Sequence, residues 1–298
     1  MSKVPIATRI GTESLFFCSS TLLGLFCLAF ITGCGGISFP SHPHVTQSKV
    51  CAPSAHRGDR RAGSDNSYLA IKSALVAQLP YVEIDLRLTK SGQFALFHDR
   101  TLTPQNSVAP SHLHGRTIDT LTPEELILVK HPDGSKILEL HELLPLAREH
   151  DSLLQLDLKP DSDEALERLV TIITPHSEVI EKLIVQCQHI QCRNFLAQRA
   201  PKLKVLARIH DPSQIREALE LSPFIIQVDA ELLNEQVTNE AKSKGALVLV
   251  KSLGEPPDTA SSWTSICDNG ADIILTDTPF ALREHFLRQH TTINFSEH

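Results

Sequence analysis

Residues 81–86 read Tyr81-Val82-Glu83-Ile84-Asp85-Leu86, and residues 153–159 read Leu153-Leu154-Gln155-Leu156-Asp157-Leu158-Lys159. Both are short apolar runs of strand length, and in both the charged residues fall two apart. Residues two apart on a strand share a face, so Glu83 points with Asp85, and Asp157 with Lys159. A strand that is otherwise apolar on both faces belongs to a parallel sheet covered by helices. Further apolar runs recur near Pro53–Ala55, Leu183–Gln186, Lys204–Ala207, Phe224–Val228, Leu247–Val250 and Ile273–Leu275, which makes eight. Helical patterns separate them, for example over Asn66–Gln78, Asp163–Thr174, Gln214–Leu221 and Asn234–Ser243. Eight strands alternating with helices predict an α/β fold, a (β/α)8 TIM barrel rather than an open sheet. One gap is too long for a single connection, from His98 to Leu153. Its end, Glu139–His150, has the pattern of a helix returning to the third strand. The stretch Thr101–Lys136 reads as a small lid-like insertion after the second strand.

Composition is ordinary for a globular chain of 298 residues: 41% hydrophobic and 21% charged. A formal net charge of -7 argues against a nucleic-acid groove, which would need clustered Lys and Arg. Lys3 and Arg9 precede an apolar run, Leu15–Ile31, that ends in Ile31-Thr32-Gly33-Cys34. This pattern is similar to the bacterial lipoprotein signal, in which an aliphatic and two smaller residues precede a Cys that is acylated. An uncleaved membrane anchor is the other reading, since the run is near the lower length of a span. Both place the body of the protein at the cell envelope, outside the cytoplasm. The expected organisation is a signal peptide over 1–33, a tether over 34–49 beginning at lipidated Cys34, a barrel over 50–290 with its insertion at about 100–138, and a tail over 291–298. Four cysteines remain in the folded part. An oxidising compartment permits disulfides among them, and free thiols are the alternative. The first and eighth strands of a closed barrel pair, which predicts a bond between Cys51 and Cys267. Cys187 with Cys192 is a rival pairing that could coexist with it.

Barrel enzymes build their sites at the C-terminal ends of the strands. Those ends here carry His56-Arg57-Gly58, then Glu83 and Asp85, then His98-Asp99 after a short extension at Phe94–Phe97, and then Asp157 and Lys159. Inward carboxylates need a counter-charge, from Lys, Arg or a metal ion. Three carboxylates suit a hard cation, two cationic side chains suit a phosphate, and two imidazoles suit proton transfer.

In this order the motifs resemble the glycerophosphodiester phosphodiesterase family over roughly Cys51 to Arg283. That family's His-Arg-Gly stands at 56–58, its Glu-x-Asp at 83–85, its Thr-Lys-x-Gly turn at Thr89-Lys90-Ser91-Gly92, its His-Asp at 98–99, and its Thr-Asp-x-Pro at Thr276-Asp277-Thr278-Pro279. The resemblance implies that His56 and His98 form the acid-base pair, that Glu83, Asp85 and Asp157 hold one divalent cation, Ca2+ or Mg2+, and that Arg57 and Lys159 bind phosphate. It implies hydrolysis of small-molecule or lipid phosphodiesters, either glycerophosphodiesters or lysophospholipid headgroups, beside a membrane reached through the lipid anchor. The chain departs from the family where Asp157 replaces Glu, where Asp65-Asn66-Ser67 replaces Glu-Asn-Thr, and where Lys251-Ser252-Leu253-Gly254 replaces Trp-Thr-x-Asn. Lys251 thereby becomes a candidate substrate contact. Two other readings stand beside this one: a sphingomyelinase D-like lipid phosphodiesterase resembling the phospholipase D toxins, and a non-catalytic surface binding protein on the same fold. Asp99 reads as a cap or as orienting a neighbour, and Asp277 as the start of the last helix.

Overall fold

The computed structural model describes residues 49–254 and 258–295. The signal peptide, Cys34 and nearly all of the tether lie outside the described residues. Among the described residues, no helix is long and apolar enough to cross a membrane.

Nine strands form one sheet: β1 Ala52–Ala55, β2 Tyr81–Leu88, β3 Phe94–Leu96, β4 Leu153–Leu158, β5 Leu183–Cys187, β6 Lys204–Arg208, β7 Ile225–Asp229, β8 Leu247–Lys251 and β9 Ile273–Thr276. All but β3 are parallel, and the ring closes because β1 pairs with β2 on one side and β9 on the other. This is the expected (β/α)8 barrel, and the eight apolar runs lie on its staves. Strand β3 is a short antiparallel addition to the end of β2.

Helices α1 Tyr68–Val76, α2 Pro123–Ile127, α3 Leu140–Glu149, α4 Asp163–Ile173, α5 Ile190–Arg199, α6 Ile215–Ala218, α7 Glu235–Ser243, α8 Ala260–Asp268 and α9 Pro279–Phe295 complete the chain. Several begin where a short polar side chain accepts a free backbone N–H: Ser67, Ser162, Asn234 and Thr259 cap α1, α4, α7 and α8. Helix α9 runs to Phe295, into the stretch 291–298 that follows the barrel. No Gly or Pro after Pro279 is present to stop it.

Strand residues alternate between two apolar environments. One parity packs outward on the helices, as Val82, Ile84, Leu154 and Leu156 do against α1, α3 and α4. The other parity fills the lumen, where Ile184, Leu206, Ile225, Leu249, Ile273 and Leu275 form a separate cluster. The insertion carries its own small core of Phe97, Leu102, Leu113, Ile118, Leu121, Leu126, Val129 and Ile137. It is built from two 3-10 turns, α2 and isolated bridges.

Both candidate disulfides are formed, with Cα–Cα separations of 5.7 Å for Cys51–Cys267 and 5.6 Å for Cys187–Cys192. The first ties the β1 entry to α8 across the closing seam. There Lys49 also holds Asp272, 2.7 Å away.

Candidate active site

The chain leaves β1 in a tight turn that only particular residues can make. Arg57 and Gly58 have φ of +58° and +91°, and a Cβ on Gly58 would lie 2.7 Å from the carbonyl carbon of Ala70. Glycine is therefore required for β1 to end against the start of α1. The turn aims the Arg57 backbone N–H at Glu83 Oε2, 3.0 Å away. The Arg57 guanidinium reaches Asp65 at 3.0 Å and places Nε 2.9 Å from Asp85 Oδ2. Asn66, also left-handed at φ +62°, holds Asp85 twice: its Nδ2 donates to Oδ2 and its Oδ1 accepts from the Asp85 N–H, both at 2.9 Å.

The two-residue spacing on β2 and β4 brings three carboxylates together. One oxygen from each of Glu83, Asp85 and Asp157 lies within 4.8 Å of the others. Lys159 sits beside them, 2.7 Å from Asp85 and 3.2 Å from Asp157. Burial, followed by the charges of Asp85 and Asp157, pushes the Glu83 carboxyl well above its ordinary range. Burial also pushes Asp85 up, but Lys159 and Arg57 override it and hold that carboxyl below the usual value. Asp157 is raised by burial despite Lys159. The cluster thus has more buried negative charge than its two cations balance.

Each imidazole has a carboxylate on Nδ1. His56 bonds Asp277 at 2.6 Å, and the other Asp277 oxygen meets Arg60 at 2.8 Å. Arg60 reaches on to Asp65, 2.8 Å away, and so joins the Arg57 network. His98 bonds Asp99 at 2.7 Å, and Asn106 of the insertion clamps Asp99 from the far side, also at 2.7 Å. Arg87 Nε donates to the His98 carbonyl at 2.7 Å. Nε2 is thereby left as the nitrogen of each ring without a protein partner among the described residues. The two rings differ in setting, His56 being 12% exposed and His98 39%. Burial lowers the His56 pKa below 6.5, against the raising effect of Asp277.

The structure therefore gathers Glu83, Asp85, Asp157, Lys159 and Arg57 in one cluster, with His56 joined to it through Asp277, Arg60 and Asp65. His98 borders a cavity of about 530 Å³ together with Arg57. Lys251 ends β8 at the rim of a second cavity, of about 1030 Å³, that Asp157 and Lys159 also line. Asp277 is corrected in role, since it precedes α9 as expected but its carboxylate serves His56. Asn66, Arg60, Arg87 and Asn106 were missed as site residues. Only Asn66 carried a signal, in the Asp65-Asn66-Ser67 string; no motif marked the other three.

A closed parallel barrel with two Asp-paired imidazoles, a carboxylate cluster and cationic side chains at one rim defines a barrel hydrolase suited to phosphate esters. The model of the glycerophosphoryl diester phosphodiesterase family matches residues 56–280, and the chain belongs to that family of phosphoric diester hydrolases. The chain is 24% identical over 243 residues to a glycerophosphodiester phosphodiesterase of Caldanaerobacter subterraneus subsp. tengcongensis, an alignment covering 76% of this chain and 94% of that one. Among solved structures it is similar in fold to a putative glycerophosphodiester phosphodiesterase from Galdieria sulphuraria, with TM-score 0.70, 21% identity, and coverage of 81% and 100%. It is similar also to an Oleispira antarctica phosphodiesterase in complex with the product sn-glycerol-3-phosphate, with TM-score 0.67, 19% identity, and coverage of 79% and 96%.

Proposed function

We propose that this chain hydrolyses glycerophosphodiesters to an alcohol and glycerol phosphate at its barrel rim, using His56 and His98 for proton transfer. The observation that carries the reading is the pairing of both imidazoles with carboxylates beside a cluster of three acids and two cations. In the reaction water adds to phosphorus and the P–O bond to the alcohol breaks. One Nε2 takes the proton from the water and the other supplies a proton to the departing alkoxide. Asp277 and Asp99 hold the rings in orientation and keep their Nδ1 atoms as donors. Arg57 and Lys159 offer positive charge to the non-bridging oxygens.

The donor set of Glu83, Asp85 and Asp157 fits one divalent cation. The ligands are all oxygens, which suits Ca2+ or Mg2+. Glu83 also has no cationic side chain of its own among the ion pairs of the described residues; its oxygen accepts only the Arg57 backbone N–H. When bound, the cation would supply Lewis-acid stabilisation of charge developing on the phosphoryl group.

Lipidation at Cys34 and a place at the cell envelope belong to the same proposal. They are supported by the Ile31-Thr32-Gly33-Cys34 string and by two disulfides, which suit an oxidising compartment. The test is to incubate the purified full-length chain with glycerophosphodiesters and lysophospholipids, with and without chelator, and to assay released glycerol phosphate and alcohol. Metal-dependent release from glycerophosphodiesters is expected. Turnover indifferent to chelator removes the cation, and no turnover of any member removes the activity.

A further inference from the structure

A phosphodiester has two ester arms, and this site has two cavities. The one of about 530 Å³ is bordered by Arg57 and His98, the one of about 1030 Å³ by Asp157 and Lys159, and they share no lining residue. A phosphate held at the cluster between them has one arm for each. The smaller cavity is lined by Asp65, Asn66, Asp99, Gln105 and Asn106, whose amides and carboxylates suit the hydroxyls of glycerol. The larger one has a different character.

Six of its lining side chains are cationic and four are carboxylates. Arg208 is neutralised by Asp229, with its Nη2 3.0 and 3.1 Å from the two oxygens. Arg87 donates to the backbone oxygens of His98 and Lys159, and Asp85, Asp99 and Asp157 lie near enough to act on its charge. The Lys251 side chain has no hydrogen bond or ion pair among the described residues. It is half-buried and shares the lumen-facing parity of Leu247 and Leu249, so it stands at the rim rather than on the outer, helix-covered face. No Phe, Tyr or Trp is among the described lining residues, so the cavity has no aromatic face for a quaternary ammonium.

We propose that the substrate's alcohol arm carries its own negative charge, a phosphate or a carboxylate, and that the larger cavity receives it with Lys251 as the principal cation. This rests on the phosphodiesterase reading above and narrows its substrate class. Cationic alcohols such as choline are disfavoured by the same residues.

The experiment compares kcat/KM of the full-length protein, with its cation supplied, for glycerophosphocholine, glycerophosphoglycerol, glycerophosphoglycerol phosphate and a glycerophosphodiester of a hydroxy acid. The anionic members should exceed the neutral one by about tenfold, the worth of one charge-assisted contact, with the choline ester lowest. Comparing the phosphate and carboxylate members tells which anion the cavity prefers. Lys251→Gln should lower the anionic-to-neutral ratio about tenfold, Lys251→Arg should restore most of it, and raised salt should erode it. A choline ester hydrolysed as well as the anionic esters, or a ratio unmoved by Lys251→Gln in a folded variant, overturns the inference and leaves the phosphodiesterase reading intact. No turnover of any ester overturns both.

Discussion

Within the lumen, one step along each strand changes the chemistry. The cluster formed by Ile184, Leu206, Ile225 and Leu249 is apolar, while the next lumen-facing residues on those strands are Gln186, Arg208, Gln227 and Lys251. On β2 and β4 the same step leads from Tyr81 to Glu83 and Asp85, and from Leu153 to Gln155 and Asp157. The entry end carries the Cys51–Cys267 bond and the Lys49–Asp272 pair, with Ser54 Oγ and Ser152 Oγ buried there without partners. The catalytic end keeps Gln155 Oε1 and Gln227 Oε1 buried without partners, above a cluster of poorly balanced acids. Unsatisfied buried groups cost about 1–3 kcal/mol each and occur at both ends, so the ends differ in that the covalent tie stands at one and the charged residues stand at the other.

Substitutions at the two ends should therefore separate activity from stability. The largest effect belongs to His56→Ala, His98→Ala and Glu83→Gln, each expected to reduce kcat/KM by about two to four orders of magnitude. None should lower the melting temperature of the metal-free protein by more than a few degrees, and Glu83→Gln should lose the stabilisation that added Ca2+ or Mg2+ gives the wild type. Near-native turnover by either His variant against every accepted substrate would remove the two-histidine mechanism.

The converse holds at the entry end. Replacing Cys51 and Cys267 with Ser opens a loop of sequence separation 216, which in the chain-entropy model weakens the fold by up to about 5 kcal/mol, against about 2 for the Cys187–Cys192 pair. Thermal unfolding should show the larger drop for the first pair, with kcat/KM at 25 °C preserved. Equal drops would mean that the seam does not limit unfolding.

An effect smaller than that of the seam disulfide is a pH dependence at the insertion, where burial holds His131 at about 4 instead of 6.5, with Asp133 and Asp65 opposing the shift. Below pH 6.5 the unfolded chain takes up a proton that the folded one refuses. Stability is thus fully present above 6.5 and declines as pH falls towards 4, by on the order of 3 kcal/mol at most. His131→Gln should flatten the melting curve between those pH values. An unchanged slope would place the dependence elsewhere.

Much of this was legible in the chain. The strands could be read because a period of two and short apolar runs are local signals, and Glu83, Asp85, Asp157 and Lys159 stood on them at the spacing that turns both members of a pair inward. His56 and His98 were legible from their place at strand ends. Asp277 was read as a helix start because its sequence neighbours are those of a cap, while its partner stands 221 residues away.

The sequence by itself determined the number and order of the staves, the side on which their charged residues project, and the cysteines available to close the seam. These follow from alternation along a strand and from the rule that parallel strands are joined through helices. Only the tertiary structure decided which carboxylate serves which imidazole, that Asn106 of the insertion clamps Asp99, and that Lys251 faces a cavity with no Phe, Tyr or Trp among its described lining residues. Each depends on groups brought together by ring closure, and closure juxtaposes residues according to the register of paired strands, which no local pattern encodes.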